Sequence, residues 1–439
     1  MPYIVTFFRL QFFSRSPKLI ILKNNNPLNN LPQTTVPKQK ANRALGLIFF
    51  IMVMDVVGIS LLSPVAPQIV LEYSDKALMV TMITVFYAGG QFLATPIIGK
   101  LGDRFGRRPV LLISLVGQAI GYFVFGLGGS LWMLFLGRLI GGITAGNLST
   151  ASAFIADVSP VEDRPKNFAL IGTAWSMGLI LGPALGGLFG QISLEAPAFV
   201  ASAFAILNVF LSIFILPESL PKEKRDIHPI TLRDYNPVLS ILDMARKPGL
   251  GILLLANALF SFAFDGVNST STLFVIEKFA AQTWQISLLL ILGGVSIALT
   301  NTFLVPGLTP RLGHKTTAVS SLIGLGLFYI MIFFAPTFLL VFPLNMLASA
   351  MNSFVFPALT TLSANCVSHQ EMGTLMGVTS AVGSLMNVFG PVWGGFVYDN
   401  VMLGAPYWMG AMILILAALF MSRVTALPST PTEALNSTL

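Results

Sequence analysis

Gly99-Lys-Leu-Gly-Asp-Arg-Phe-Gly-Arg-Arg-Pro-Val-Leu-Leu112 sets Lys100, Asp103, Arg104, Arg107 and Arg108 between two long apolar runs. Charge at that density is too costly for a bilayer interior. The stretch is therefore expected as a tight water-facing turn, with Gly99, Gly102 and Gly106 letting the backbone bend and neighbouring helices approach. Four cations against one aspartate place the turn on the cytoplasmic side by the positive-inside bias. Outward from it, the chain of 439 residues is 54% hydrophobic and 10% charged, against about 25% charged in globular proteins. That composition makes it an integral membrane protein.

A formal net charge of +7 would suit a nucleic-acid binder, but Arg9, Arg15, Lys18, Lys23, Lys38, Lys40 and Arg43 all precede the first acid, Asp55. The excess belongs to the amino-terminal tail, where it serves orientation and lipid head groups, and no nucleic-acid partner is expected. The single cysteine, Cys366, excludes an internal disulfide and a thiolate metal site. His228, His314 and His369 fall in expected loops, so no histidine metal cluster or intramembrane histidine relay is available.

Residues 1–43 carry two apolar patches, each too short for the roughly 20 residues a span requires. They are expected as a basic, disordered cytoplasmic tail; an upstream start assignment and an organelle transit peptide are the other readings. No small-residue cleavage site points to a secretory signal. Twelve segments of spanning length follow, near 44–66, 78–98, 108–128, 131–156, 168–190, 197–216, 250–274, 284–305, 316–335, 338–362, 373–395 and 406–423. With the amino terminus inside, all but three of the 25 Lys and Arg fall on the cytoplasmic side, the exceptions being Lys76, Lys278 and Arg138. Both termini are thus expected in the cytoplasm. The longest interruption, 217–249, separates an amino-terminal bundle (44–216) from a carboxyl-terminal one (250–423), with a short tail at 424–439.

An internal repeat supports the division. Gly182-Pro-Ala-Leu-Gly-Gly187 recurs 208 residues later as Gly390-Pro-Val-Trp-Gly-Gly395, and Arg104-Phe-Gly-Arg-Arg108 recurs 207 residues later as Arg311-Leu-Gly-His-Lys315. Two unrelated elements with one offset mark duplicated halves, with a substrate site expected between them near the midplane.

Asp55 lies 12 residues beyond Arg43, hence about 18 Å into a core about 30 Å thick. A carboxylate there must face water or a polar partner inside the bundle, which suits reversible protonation. Asp265 follows 210 residues later on the first helix of the second half, close to a symmetry-related place. These two are the only acids within expected spans, and permanent hydrogen bonding for helix packing is the alternative role for each. Arg138, about seven residues into the fourth span, costs about 2.5–3.5 kcal/mol to bury and should face the bundle and an acceptor. Gln91 and Asn147 are candidate cavity residues; Asn257, Asn268, Asn301 and Asn387 stay unassigned.

The opening stretch resembles the major facilitator superfamily, whose loop between helices 2 and 3 carries a G-x-L-x-D-R-x-G-R-R/K signature. The resemblance covers about 44–423 and implies an all-α integral membrane protein of twelve transmembrane helices in two pseudo-symmetric six-helix bundles. Gly178, Gly182, Pro183, Gly186 and Gly187 are similar to the antiporter signature G-x-x-x-G-P-x-x-G-G, whose small residues let helices pack closely. Asp157 and Arg164 match the drug-exporter form of the loop between helices 4 and 5. The resemblance implies that Asp157 pairs with Arg107, that Asp103 faces the amino-terminal end of helix 11, and that these contacts with Gly99, Arg104 and Arg108 form a cytoplasmic gate that is shut in the outward-open state. It also links Arg138 to proton transfer. The stretches Asp55–Pro67, Gln91–Gly99, Gly137–Thr144 and Ile155–Asp157 look like the tetracycline-resistance branch of the 12-helix drug/proton antiporters. That branch has an aspartate on helix 3, where Gly121 precedes Tyr122 here, and a histidine on helix 8 and an aspartate on helix 9 that are missing here. A relative with another substrate is expected.

The leading expectation is a proton-coupled exporter of amphipathic small molecules in a plasma (bacterial inner) membrane. It would be a monomer without cofactor, using the proton gradient through Asp55, Asp265 and Arg138. Alternatives are an uptake symporter or facilitator, and a receptor or membrane enzyme on the same scaffold. No nucleophile and base pair, metal cluster or phosphate-binding loop favours an enzyme, and no G-x-x-x-x-G-K-S/T loop favours ATP-driven transport.

Overall fold

The computed structural model describes residues 38–160, 163–225, 237–368 and 371–423. The tail before residue 38, the central-loop segment 226–236 with His228, the residue His369 and the tail from 424 lie outside the described residues. The helices are α1 (Lys38–Leu61), α2 (Ala66–Leu71), α3 (Ala77–Phe105), α4 (Arg107–Leu127), α5 (Leu131–Ile143), α6 (Asn147–Val158), α7 (Arg164–Phe189) and α8 (Ala196–Phe214). After the central segment come α9 (Pro237–Ala245), α10 (Leu250–Phe279), α11 (Thr283–Leu299), α12 (Val305–Leu312), α13 (His314–Phe334), α14 (Phe338–Ala364), α15 (Met372–Asn400) and α16 (Ala405–Ser422).

Among the described residues, eleven helical stretches are long and apolar enough to span a membrane, and the expected fourth span is two shorter helices instead. The break falls at Thr144–Gly146. Thr144 turns its hydroxyl back onto the Ile140 and Gly141 carbonyls at 2.8 and 3.2 Å, and the glycines on either side give the helix little propensity to continue. A milder irregularity divides α11 from α12, where a single π turn covers Thr300–Leu304. Pro306, near the start of α12, cannot donate to the carbonyl one turn back, so the ladder slips.

The charged stretch differs from the expected turn. Lys100, Asp103 and Arg104 occupy the last turns of α3, and only Gly106, at φ +104°, breaks the helix before Arg107 opens α4. Gly313, 207 positions later at φ +81°, makes the same corner between α12 and α13. The corner therefore costs one glycine per half, and His314 sits in the first turn of a helix instead of a loop. Lys278, expected beyond the membrane, lies in the last turn of α10; its ammonium reaches the Phe333 carbonyl and sits 5.2 Å from the Phe274 ring. Such snorkelling keeps a cation at a span end affordable.

Within the first half α4 packs on α8 and α5, and α3 packs on α5; within the second α13 packs on α14 and α16, and α10 on α15 and α16. Buried polar side chains tie neighbours together, as where Ser202 donates to the Ala119 carbonyl at 2.9 Å and Asn208 to the Ile51 carbonyl at 3.2 Å. Two seams join the halves, α3 against α15 and α7 against α11.

Glycines set how closely these helices approach. On α7, a Cβ at Gly178, Gly182 or Gly186 would collide with Val56, Ser60 or Leu61 of α1, and one at Gly187 with Ser287 of α11. On α15, Gly390 and Gly394 abut α10 around Gly266, and Gly395 abuts Leu78 and Thr81 of α3. The motif and its copy thus do the same work: the earlier glycines pack a helix within its own half, and the last meets the other half.

Candidate functional site

A cavity of about 610 Å³ lies between the halves. One wall presents Ile59 and Ser60 of α1, Ser63 of the turn that follows it, Arg138 of α5 and Trp175 of α7; the other presents Asp265 and Asn268 of α10, Asn345, Ser349 and Asn352 of α14, and Asn387 of α15. Aromatic surface comes from Phe264, Tyr329 and Tyr407. The walls therefore offer one carboxylate, one guanidinium, four carboxamides and several rings, enough to hold a molecule with both apolar and hydrogen-bonding parts.

Of the expected site residues, Asp265, Arg138 and Pro183 of the antiporter motif reach this cavity. Asp265 has no hydrogen bond or ion pair among the described residues. Arg138 meets no carboxylate either; its guanidinium lies 4.6 Å over the Tyr87 ring of α3, so the acceptor expected for it is a π face. Asp55 is placed differently. It sits one turn from the cavity residue Ile59, is not among the lining residues, and accepts a hydrogen bond from Asn147 Nδ2 at 3.1 Å with Gln118 beside it. Asp55 and Asp265 are thus related by the repeat in sequence but not in exposure to the cavity.

Gln91 and Asn147 do not line the cavity. Gln91 lies on α3 with its carbonyl accepting from Thr95, and Asn147, 3% exposed, begins α6 at the helix break and serves Asp55. The cavity-lining Asn345, Ser349 and Asn352 recur at spacings of four and three, one face of a helix. That stripe is the available signal, but polar residues in a span satisfy helix packing equally well.

At the charged end, Arg107 bridges Asp103 at 2.6 Å and Asp157 at 3.4 Å. The second pairing is the one the resemblance implies. Among the described residues Asp103 has no contact with the start of α15; its partner is Arg107, four residues on. Ser219 donates to Asp157 at 2.9 Å, and Arg108 reaches the Ser212 and Ile213 carbonyls. Glu218 supplies what the sequence reading missed: its carboxylate accepts from the Arg107 and Arg108 backbone N–H groups at 2.9 and 3.3 Å, capping α4. A Cβ at Gly99 would meet nothing within 4 Å, and Arg104 is exposed.

The seams close at the other end. Asp399, in the last turn of α15, accepts from the N–H groups of Ala77 and Leu78 at the start of α3, at 2.7 and 2.9 Å. Thr283 of α11 donates to Gln68 of α2 at 3.0 Å. With Gly187 and Gly395 in close contact there as well, the halves are latched at the end away from the charged turns.

A chain of membrane-spanning helices around a cavity between two halves defines a transporter scaffold. Comparison with known proteins agrees: the model of the Major Facilitator Superfamily matches residues 48–309 and 253–438, and the chain belongs to that superfamily. It is a multi-pass membrane transporter and not an enzyme. It is 34% identical to the class C tetracycline resistance protein of Escherichia coli, over 88% of this chain and 97% of that protein. It is 29% identical to multidrug resistance protein 1 of Bacillus subtilis, over 86% and 95%. Among solved structures, the human organic anion transporter MFSD10 matches with a TM-score of 0.66 at 25% identity, over 87% of this chain and 99% of that one. A bacterial homologue of the lysosomal transporter Spinster, inward-facing and occupied, matches at 0.69 with 18% identity over 87% and 96%, a likeness of fold.

Proposed function

We propose that this protein exports amphipathic small molecules in exchange for protons, by alternating access of the central cavity. The observation that carries the reading is Asp265, without a hydrogen bond or ion pair among the described residues, in a cavity between the halves that Arg138, four asparagines and aromatic rings also line. The tetracycline and multidrug resistance relatives support drug-like substrates. A carboxylate in the wall favours a cationic or neutral ligand over an anion. Both termini are cytoplasmic in this reading, so the Asp399 latch is external and the conformation described faces inward.

The cycle follows from which groups change charge. A ligand enters from the cytoplasm while Asp265 is ionised, its cation or hydroxyls taking the place of water on the carboxylate and the asparagines. Opening of the external latch exposes the cavity to the acidic side, where protonation of Asp55 and Asp265 weakens the hold on the ligand. The protonated carrier then returns and releases its protons inside.

The test is growth of an efflux-deficient bacterium across amphipathic antibiotics and dyes, tetracycline and ethidium among them. Wild type, Asp55→Asn, Asp265→Asn and empty vector are compared at matched membrane expression. Resistance to at least one compound that both variants lose is expected. Growth no better than empty vector on every compound counts against export.

A further inference from the structure

Asp55 does not line the cavity, Arg138 does, and the two form no ion pair. Tyr87 of α3 is a neighbour the two share. Its ring lies under the Arg138 guanidinium at 4.6 Å, and it is within electrostatic reach of both Arg138 and Asp55.

The backbone fixes that ring. α5 presents Gly141 and Gly142 to α3 at this level: a Cβ on Gly142 would overlap the Tyr87 carbonyl, and one on Gly141 would lie 3.7 Å from the ring. Gly90, one turn on, abuts the backbone of Leu139, Gly142 and Ile143 in the same way. Two bare helix faces therefore hold the ring against the cation. The Tyr87 hydroxyl and Arg138 Nε are both buried without a hydrogen-bond partner among the described residues. The remaining groups facing Asp55 are Asn147 of α6 and Gln118 and Tyr122 of α4, none of them cationic.

α3 also carries the external latch at Ala77 and Leu78 and the Asp103–Arg107 pair at its far end. A change in the pull on Arg138 is therefore felt by a helix that reaches both ends.

We propose that Tyr87 is the positioning residue that holds Arg138 between Asp55 and the cavity, so that the charge on Asp55 reaches the ligand site and α3 through this stack. When Asp55 is ionised, its field draws the guanidinium toward α1. When it takes a proton from water and becomes neutral, the guanidinium is released to the cavity, and the ring limits its swing. The inference rests on Asp55 being the proton carrier.

The experiment is infrared titration of the full-length protein in liposomes, following the carboxyl band that Asp55→Asn removes. Tyr87→Phe keeps the ring and is expected to titrate as wild type, and so is Asp265→Asn. Tyr87→Leu and Arg138→Gln are expected to displace the midpoint by about one pH unit, a tenfold change in proton affinity. The double variant should move no further than either alone. A ring that merely fills space would lower thermal stability in Tyr87→Leu and leave the midpoint in place, which would overturn the proposal; Tyr87→Met repeats the test should Tyr87→Leu fail to fold. A displaced midpoint in Tyr87→Phe would assign the role to the hydroxyl and refute the stack. A displaced midpoint in Asp265→Asn would show a direct link between Asp55 and the cavity that bypasses Tyr87. If Asp55→Asn removes no titrating band, the proton-carrier reading falls, and the positioning role with it.

Discussion

Asp399 on α15 and Leu78 on α3 belong to opposite halves, yet the carboxylate accepts the Leu78 N–H at 2.9 Å and the Ala77 N–H at 2.7 Å. A charged acceptor thus caps the first turn of a helix whose dipole and free N–H groups favour an anion. The bond exists only while the halves are closed at that end.

Asp399→Ala should therefore weaken the closed form by about 1–2 kcal/mol, which is about 5- to 30-fold in its population ratio. Asp399→Asn, which keeps an acceptor without the charge, should fall between. Spin labels at Asp75→Cys and Val401→Cys, both exposed positions, in a Cys366→Ser background would report longer distances in the alanine variant. Unchanged distance distributions would remove the latch from the gating scheme.

Gly395→Val should prevent the same closure sterically, because the added branch would overlap Leu78 and Thr81 across the seam. Overpacking of this kind costs about 1–3 kcal/mol. Gly383→Val on the same helix, where a Cβ meets nothing within 4 Å, is the control and should leave the distances alone. The two variants behaving alike would contradict the packing argument.

Much of this was legible in the sequence, for physical reasons that particular residues make plain. The charged stretch at 99–108 located a membrane boundary because ions there have no alternative, and the glycine motif at 178–187 reappeared at 390–395 because close packing admits few substitutes. The Asp157–Arg107 pair came with the family likeness. Facing was not legible. Asn345 and Asn352 line the cavity while Asn147 serves Asp55, and composition alone does not reveal helix phase. Asp399 was missed because the apolar pattern was read as ending at Gly395, although α15 runs on to Asn400. Glu218 acts through backbone N–H groups, which no side-chain pattern betrays.

Arg107→Ala should leave Asp103 and Asp157 without their shared cation and lower the thermal stability of the purified protein, by about 1–2 kcal/mol for a pair that is partly solvated. Arg107→Lys should recover only part of that, since a single ammonium cannot reproduce the guanidinium fork that meets both carboxylates. Full recovery by lysine would show that charge, not geometry, holds this end.

Glu371, ahead of α15, accepts from Lys247 at 2.5 Å and from Ser368, which pulls its carboxyl from the ordinary 4.5 to about 2. A lowered folded value stabilises above the ordinary carboxylate range, and the contribution disappears as pH falls from about 4.5 through about 2. Wild type should thus exceed Glu371→Gln in thermal stability near neutral pH by a small, salt-sensitive margin, the pair being partly exposed. The margin should close by about pH 2. A margin that is constant across that range would mean the contact works through shape alone.

The central claim is that a proton on Asp55 drives movement of a ligand through the cavity. The most direct measurement loads proteoliposomes of wild type and Asp55→Asn with a compound that the growth panel selects, and compares accumulation against a pH gradient with exchange at equal pH. Wild type should do both, and Asp55→Asn should retain exchange while losing gradient-driven accumulation. Accumulation by Asp55→Asn equal to wild type would contradict the account.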